Sequence, residues 1–255
     1  MDKYKIIEKV DKTRKILGLS DEPVDQDTLI KRLENNNFYL FYDELGRESI
    51  SGTAFKKNNL KFIVINSSQT IGRQNFTLGH ELGHLVLHQK QIFDMEEENK
   101  KIEKEADTFA ANFLIPELTV KKFIGDRKKI SKFDILMVSQ NFRVSYKAAL
   151  YRLLGLYSKR KLPDNYDKIN VNEVINEYKY NQQYEDIEKN AKKIAEDFKI
   201  DSSLYKANDK IYYPDKKILY KVINIYKNEN ISFGKLLEFL EFLNIDPDKV
   251  MEDIK

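Results

Sequence analysis

Two histidines and a glutamate in the segment from Gln74 to Gln89 have the spacing of a metal site. In a helix, His80 and His84 lie one turn apart on the same face, so both rings can present a nitrogen to one ion. Glu81 is rotated by about 100° from His80, which places its carboxylate beside the ion without making it a ligand. Two imidazoles on zinc with a neighbouring carboxylate can activate water for amide hydrolysis. The H-E-x-x-H spacing therefore predicts a zinc peptidase site.

The residues around this motif favour a buried helix. Apart from the histidines, Glu81 is the only ionisable residue between Arg73 and Lys90. An isolated acid among apolar neighbours is costly unless it has a partner or a task. The alternative interpretation is that a short pattern arose by chance and that the histidines only pack. A third metal ligand would decide between the two.

That third ligand is predicted on a second helix. The longer motif with a third histidine would need glycine at position 87 and histidine at position 90, where the chain has Leu87 and Lys90. The other class of zinc site takes a glutamate from a following helix. Residues 96–114 are predicted to form such a helix, which Pro116 then ends.

Helical geometry selects Glu103 rather than Glu105 as the ligand. Glu103 shares a face with Asp107 and with the small residues Ala110 and Ala111, which allow close approach to the histidine helix. Glu105 points about 200° away from Glu103. Asp107, one turn further on, is predicted to accept the second N–H of a metal-bound imidazole and so to fix its orientation. The alternative interpretation is a solvated acidic helix without ligands. The small residues on the same face argue against this alternative.

The two blocks together resemble the ImmA/IrrE family of bacterial metallopeptidases. The chain reads F-T-L-G-H-E-L-G-H and then E-K-E-A-D-T-F-A-A-N-F-L-I-P, where the family has F-T-x-A-H-E-x-G-H and E-x-x-A-[ND]-x-F-A-x-x-L-L-x-P. The resemblance extends from about Gly52 to Leu156. It implies that His80, His84 and Glu103 are the zinc ligands and that Glu81 is the general base. Position 79 is Gly where the family usually has Ala, a change that costs up to about 1 kcal/mol of helix stability and should leave the chemistry intact.

The resemblance also implies a function. It predicts an endopeptidase with one catalytic Zn²⁺ ion whose substrate is a helix–turn–helix (XRE-type) repressor encoded nearby. Cleavage would derepress a mobile element, a prophage or a stress regulon. Two alternatives stay open: a zinc-containing module that binds a repressor or DNA without hydrolysis, and a component of a toxin–antitoxin pair. The presence of Glu81 argues against the first alternative, because a module without hydrolysis has no need of a carboxylate there.

The composition fits an intracellular enzyme with a sizeable core. The chain has 255 residues, of which 41% are hydrophobic, and this predicts one or two domains. It has no cysteine, which excludes a thiolate metal site. A net charge of +3 is too small to indicate a nucleic-acid partner by itself. No signal peptide and no run of membrane-spanning length is present, so the sequence predicts a cytoplasmic location without membrane contact.

The predicted fold class is α+β, with a zincin-like core in which a small antiparallel or mixed sheet packs on the H-E-x-x-H helix. Strand-like runs are Phe38–Tyr42, Ile50–Phe55 and Lys61–Ile65. In metallopeptidases of this kind, an edge strand beside the motif helix pairs with extended substrate. Lys61–Asn66 is one candidate for that edge strand because it comes just before the helix. The alternative, in which Lys61–Asn66 is an internal strand that makes no substrate contact, is equally compatible with the sequence.

Three segments are predicted: a metallopeptidase core over residues 1–118, a helix–turn–helix-like segment over 119–158 and a mainly helical accessory region of unknown role over 159–255. In the middle segment, two helices flank a turn near Asn141–Val144, and Ser145 caps the second helix. That second helix is too apolar on most faces for a free recognition helix, so packing is favoured over direct DNA binding.

The last segment contains an apolar stripe at helical spacing. Such a stripe usually packs into a core, and the alternative is a homodimer or partner surface. The stripe consists of Leu236, Phe239, Leu240 and Leu243.

Overall fold

Helices and one small sheet make up the part of the chain that the computed structural model describes. The described residues are 1–47, 49–57, 60–88, 96–125, 130–157, 184–207, 212, 223–224, 226–228, 231–242, 246–247 and 250. The first part of the predicted accessory region, residues 159–183, lies outside them.

Two helices and three strands precede the histidine segment. They are α1 (Lys3–Ile16), α2 (Gln26–Glu34), β1 (Phe38–Asp43), β2 (Gly52–Lys57) and β3 (Leu60–Asn66). The chain turns after α1 at Gly18, whose φ of 63° suits a residue without a Cβ atom. Asp25 caps α2, since its Oδ1 accepts a hydrogen bond of 2.8 Å from the Thr28 N–H.

The sheet is mixed, with the strand order β1-β3-β2. β3 pairs in parallel with β1 and antiparallel with β2. The prediction that Lys61–Asn66 is an edge strand is therefore wrong, and the alternative of an internal strand is correct. The reason is visible in the burial: β3 is buried from Phe62 to Asn66 on both of its faces, which is typical of a central strand.

Each face of the sheet packs on a different part of the chain. Leu40, Ile63 and Ile65 belong to the main core with the helices that follow β3. Their neighbours Phe41 and Val64 belong to a second cluster, which also contains Ile223, Leu236, Leu240 and Val250. Leu236 and Leu240 thus belong to the core, as predicted, whereas the side chain of Phe239 and residue Leu243 lie outside the described part. A homodimer through the C-terminal region stays a prediction.

Helices make up most of the described chain after β3. They are α3 (Ile71–Leu87), α4 (Glu96–Leu114), α5 (Glu117–Ile124), α6 (Lys132–Phe142), α7 (Tyr146–Tyr157), α8 (Tyr184–Asp197), a 3₁₀ turn (Ser203–Tyr205) and α9 (Phe233–Phe242). Among the described residues, no helix combines the length and the apolar character that crossing a bilayer requires.

Small residues bring α3 and α4 into close contact. A methyl group on Gly83 would lie 3.2 Å from the carbonyl oxygen of Ala106, and one on Gly79 would lie 2.9 Å from Leu114 Cδ1. Ala106 and Ala110 are fully buried between the helices. Because Gly79 faces Leu114, the glycine that replaces the family's usual alanine fits this packing.

The helix pair α6–α7 packs its backbone on the start of α3. Arg143 takes a left-handed φ of 54° between the two helices, and Ser145 Oγ accepts a hydrogen bond from the Ala148 N–H at 3.1 Å, which confirms the predicted cap. The Ser145 N–H donates to the Gly72 carbonyl at 3.1 Å, and Asn75 Nδ2 donates to the Arg143 carbonyl at 2.7 Å. These bonds make α6–α7 a packed neighbour of α3. The segment boundaries and DNA contact stay predictions.

Candidate metal centre

Three side chains from α3 and α4 converge on one point. His80 Nε2 and His84 Nε2 lie 2.9 Å apart. Glu103 Oε2 lies 3.1 Å from His80 Nε2, and Glu103 Oε1 lies 3.4 Å from His84 Nε2. The ligand atoms of the three residues all lie within 4.8 Å of one another. The helical period on α3 and the close approach of α4 together produce the arrangement that the spacing predicts.

Asp107 orients the first histidine. Its Oδ1 lies 2.8 Å from His80 Nδ1, on the far side of the ring from the shared point. A proton on Nδ1 donates to this carboxylate, so the lone pair of Nε2 is directed toward His84 and Glu103. Asp107 therefore has the position that its place one turn after Glu103 predicts.

The two histidines have different electrostatic surroundings. Burial lowers the pKa of His80, but the hydrogen bond with Asp107 and the charges of Glu81, Asp107 and Glu103 outweigh burial, so the net shift is upward. Burial lowers the pKa of His84 to about 4, and the positive charge of a protonated His80 acts in the same direction. His84 is therefore a neutral imidazole at neutral pH, which is the form that binds a metal ion.

Glu81 lies beside this cluster and is directed to the sheet. It is 7% exposed, and a methyl group on Gly52 of β2 would lie 3.4 Å from its Cγ. Burial raises the pKa of Glu81 to about 7; the charge of Glu103 adds to this rise and that of His80 opposes it. A carboxylate with a pKa near neutrality suits a group that takes up and gives back a proton.

Glu105 and His88 lie together outside the donor cluster. Glu105 Oε1 accepts a hydrogen bond from the Met1 backbone nitrogen, and its Oε2 lies 3.8 Å from His88 Nε2. Glu105 is buried, whereas the side chain of Glu103 is 59% exposed. The choice of Glu103 from helical geometry agrees with this arrangement.

The donor set fits zinc. Two imidazole nitrogens and one carboxylate oxygen are the protein ligands of a frequent class of catalytic zinc site. His80 has the oriented tautomer that such a ligand needs, since Asp107 occupies its other ring nitrogen. Glu81 lies next to the three ligands and is not one of them.

Replacing Asp107 by Asn should weaken zinc binding by about 10- to 100-fold, because the ring of His80 loses its carboxylate partner. Competition with a chromophoric chelator measures the affinity. Asp197→Asn, the same change at an exposed position on α8, should leave the affinity unchanged. Equal affinities for wild type and Asp107→Asn would contradict the orienting role.

A groove of about 1360 Å³ leads away from the metal centre. Its lining includes His80, Glu81 and Glu103, the start of β2 and the exposed Ile50 before that strand. Residues of α7 also line the groove, among them Tyr151, which is 61% exposed. The groove is larger than most small-molecule pockets and can hold several residues of a peptide.

Several residues of this groove have no role predicted from the sequence. Arg73 lies seven positions before His80, and its Nη2 donates to Ser51 Oγ at 2.8 Å. Arg152 is 7% exposed although it is charged. The seven-residue interval between Arg73 and His80, two helical turns, was a signal that both lie on one face.

This α+β fold, with two imidazoles, a carboxylate and a buried glutamate beside a long groove, defines a site suited to hydrolysis. Residues 33–154 match the family model Peptidase_M78, described as an IrrE N-terminal-like domain. The match covers just under half of the chain and confirms the resemblance to the ImmA/IrrE proteins.

A relative from Bacillus phage phi105, named "Uncharacterized immunity region protein 2", is 36% identical over 78 residues. The aligned part covers 27% of this chain and 46% of that protein. The chain thus spans less than half the length of this relative.

Proposed function

We propose that this chain is a zinc-dependent endopeptidase that cleaves a helix–turn–helix transcriptional repressor. The observation that carries the proposal is the convergence of His80, His84 and Glu103 within 4.8 Å of one another, next to a groove that His80 and Glu103 line. The match of residues 33–154 to a peptidase family supports the hydrolytic reaction. The proposed fold of this core is zincin-like.

The chemistry divides between the metal and the chain. When bound, zinc supplies Lewis-acid chemistry, which acidifies water and polarises a carbonyl group. His80, His84 and Glu103 would hold it, and Asp107 keeps His80 oriented. The Glu81 carboxylate takes the proton from the attacking water and delivers it to the leaving nitrogen, so that its charge is restored after each cycle.

β2 is the strand that we assign to substrate binding. It is an edge strand of the described sheet, and its first residue, Gly52, borders the same groove as Glu81. An extended peptide can add its main-chain hydrogen bonds to such an edge. Gly52 permits β2 to lie close to α3 and so beside Glu81, because a methyl group there would lie 2.8 Å from the Val64 carbonyl oxygen and 2.6 Å from Thr77 Cγ2.

The substrate class rests on the relatives. The family resemblance implies a repressor as substrate, and the phage relative is named as an immunity region protein. In the proposed role, cleavage of a repressor encoded nearby derepresses a mobile element, a prophage or a stress regulon, and the enzyme acts in the cytoplasm.

The test combines metal content with a cleavage assay. The chain is co-expressed with the repressor encoded next to it, and wild type is compared with Glu81→Gln. We expect about one zinc per chain in both proteins, loss of the repressor with wild type, and a rate lower by about 10²–10⁴-fold with Glu81→Gln, because the general base is removed.

Other outcomes would change the proposal. Zinc in both proteins, an intact repressor and co-purification of the two chains would favour a module that binds without hydrolysis. Absence of zinc from correctly folded wild type would overturn the metal centre itself.

A further inference from the structure

The residues that line the groove carry charges of both signs. Four of them are carboxylates, those of Glu81, Glu103, Glu105 and Asp107, and lysines lie on the same helix as the last three. Where α3 begins and α7 begins, the described lining residues include the cations Arg73, Lys147 and Arg152. We call these three residues the cationic end of the groove.

Local packing brings together the backbone segments that carry the three cations. Gly72 contacts the backbone of Ser145, which places Arg73 on α3 near the start of α7. Lys147 follows Ser145 by two residues, and its Nζ lies 5.9 Å from the ring centroid of Tyr151 on the exposed side of α7. Arg152 follows one turn after Ala148, which also lines the groove.

Arg152 has unused hydrogen-bonding capacity. Its Nε donates to the Ile115 carbonyl at 2.9 Å, whereas its buried Nη2 has no hydrogen-bond partner among the described residues. The charge of Glu117 acts on Arg152 electrostatically, and Glu117 Oε1 accepts a hydrogen bond from Lys121 Nζ at 2.6 Å. A buried guanidinium with an unpaired N–H is costly, and an anion that reaches it relieves that cost.

The distance to the metal centre defines where an anion would sit on a substrate. Arg73 precedes His80 by seven residues on one helix, which is about 10 Å at 1.5 Å per residue. An extended peptide covers about 3.3 Å per residue. The backbone of Arg73 therefore lies about three extended peptide residues from the backbone of His80, which sets the scale for the position of the anion on the substrate.

We propose that the cationic end binds a carboxylate of the substrate, about three residues from the cleaved bond. This inference rests on the proposed peptidase function and adds a specificity to it. The carboxylate is either an acidic side chain or the carboxyl terminus of the substrate. It meets the side of the Arg152 guanidinium that borders the groove, with Arg73 and Lys147 next to it.

The probe for this test is a pair of randomised ten-residue peptide libraries, one blocked at both ends and one with a free carboxyl terminus. Zinc-loaded wild type is incubated with each, and the products are sequenced. An acidic side chain as ligand predicts enrichment of Asp and Glu at a fixed position about three residues from the cut in the blocked library. A terminal carboxylate predicts cuts about three residues from the end in the free library alone.

Variants connect the preference to the three cations. For a cleaved peptide with Glu at the preferred position, changing that Glu to Gln should raise KM about tenfold with kcat little changed, since a hydrogen bond to a charged group is lost. In the double variant with Arg73→Gln and Lys147→Gln, the ratio of KM for the Gln peptide to KM for the Glu peptide should fall toward one. We call this ratio the discrimination. If the free library alone is cleaved, the same comparison uses the peptide with a free or an amidated terminus.

Two controls separate charge from structure. Ser51→Ala removes the partner of Arg73 but keeps the guanidinium, so the discrimination should persist. Lys192→Gln, on the exposed side of α8 and outside the residues that line the groove, should also retain it. Cleavage without a carboxylate preference in either library would overturn this inference alone. Zinc-loaded wild type that cleaves no peptide would overturn the peptidase function, and the inference with it.

Discussion

Replacing Glu103 by Gln should remove zinc from the protein, while the same change at Glu105 should not. Glu103 supplies a carboxylate whose two oxygens lie 3.1 and 3.4 Å from the imidazole nitrogens. Losing a direct ligand should weaken binding more than losing an orienting partner, so we expect an effect of at least about 100-fold. Zinc content after dialysis, measured by elemental analysis, distinguishes the two variants.

Glu105→Gln is the matched control because it changes the same residue type, two positions along the same helix. Glu105 contacts the Met1 backbone nitrogen and lies near His88, so its loss should lower the melting temperature slightly and leave about one zinc per chain. Metal-free Glu103→Gln should unfold like metal-free wild type, since its side chain is largely exposed. Zinc lost from Glu105→Gln but retained by Glu103→Gln would show that the ligand assignment is wrong.

The convergence of His80, His84 and Glu103 could be predicted because its geometry is local. One helical period fixes the relation of His80 to His84, and another fixes the relation of Glu103 to Asp107. The only long-range information that is needed is that α3 and α4 touch. Glycine and alanine on the facing sides, such as Gly83 and Ala106, indicate that contact because they allow close approach.

Strand order could not be derived in this way. Lys61–Asn66 precedes the histidine helix directly, yet β2, which comes earlier in the chain, forms the edge beside the groove. Strand propensity depends on which faces are covered, and this is decided by residues far away in sequence. Here Leu236 and Leu240 cover the second face of the sheet, about 170 residues after β3, so no local pattern around β3 reports their contact.

The cationic end of the groove also depends on long-range packing. In the sequence, Arg152 is one basic residue in an apolar helix, and Arg73 is separated from it by nearly 80 positions. Both line the groove because the turn before α7 lies against the first turn of α3. The position where these backbones touch is Gly72.

Replacing Gly72 by Ala should destabilise the fold and separate α7 from α3. The added methyl group would lie 2.8 Å from the nitrogen of Ser145 and 2.9 Å from its Cα and from the Val144 carbonyl carbon. These are backbone atoms, which cannot rotate away as a side chain can. We expect a loss of about 1–3 kcal/mol in the free energy of unfolding, and hence a melting temperature lower by about 2–4 °C per kcal/mol.

Gly155→Ala is the matched control for this change, because nothing lies within 4 Å of the added methyl group. Gly155 lies within α7, where alanine is the better helix former, so this variant should gain about 0.5–1 kcal/mol. Gly72→Ala should keep its zinc, since the ligands lie two turns away, yet lose affinity for peptide as the wall formed by α7 moves. A melting temperature of Gly72→Ala equal to that of wild type would show that α3 and α7 do not touch here. The groove would then lack the wall that carries Lys147 and Arg152.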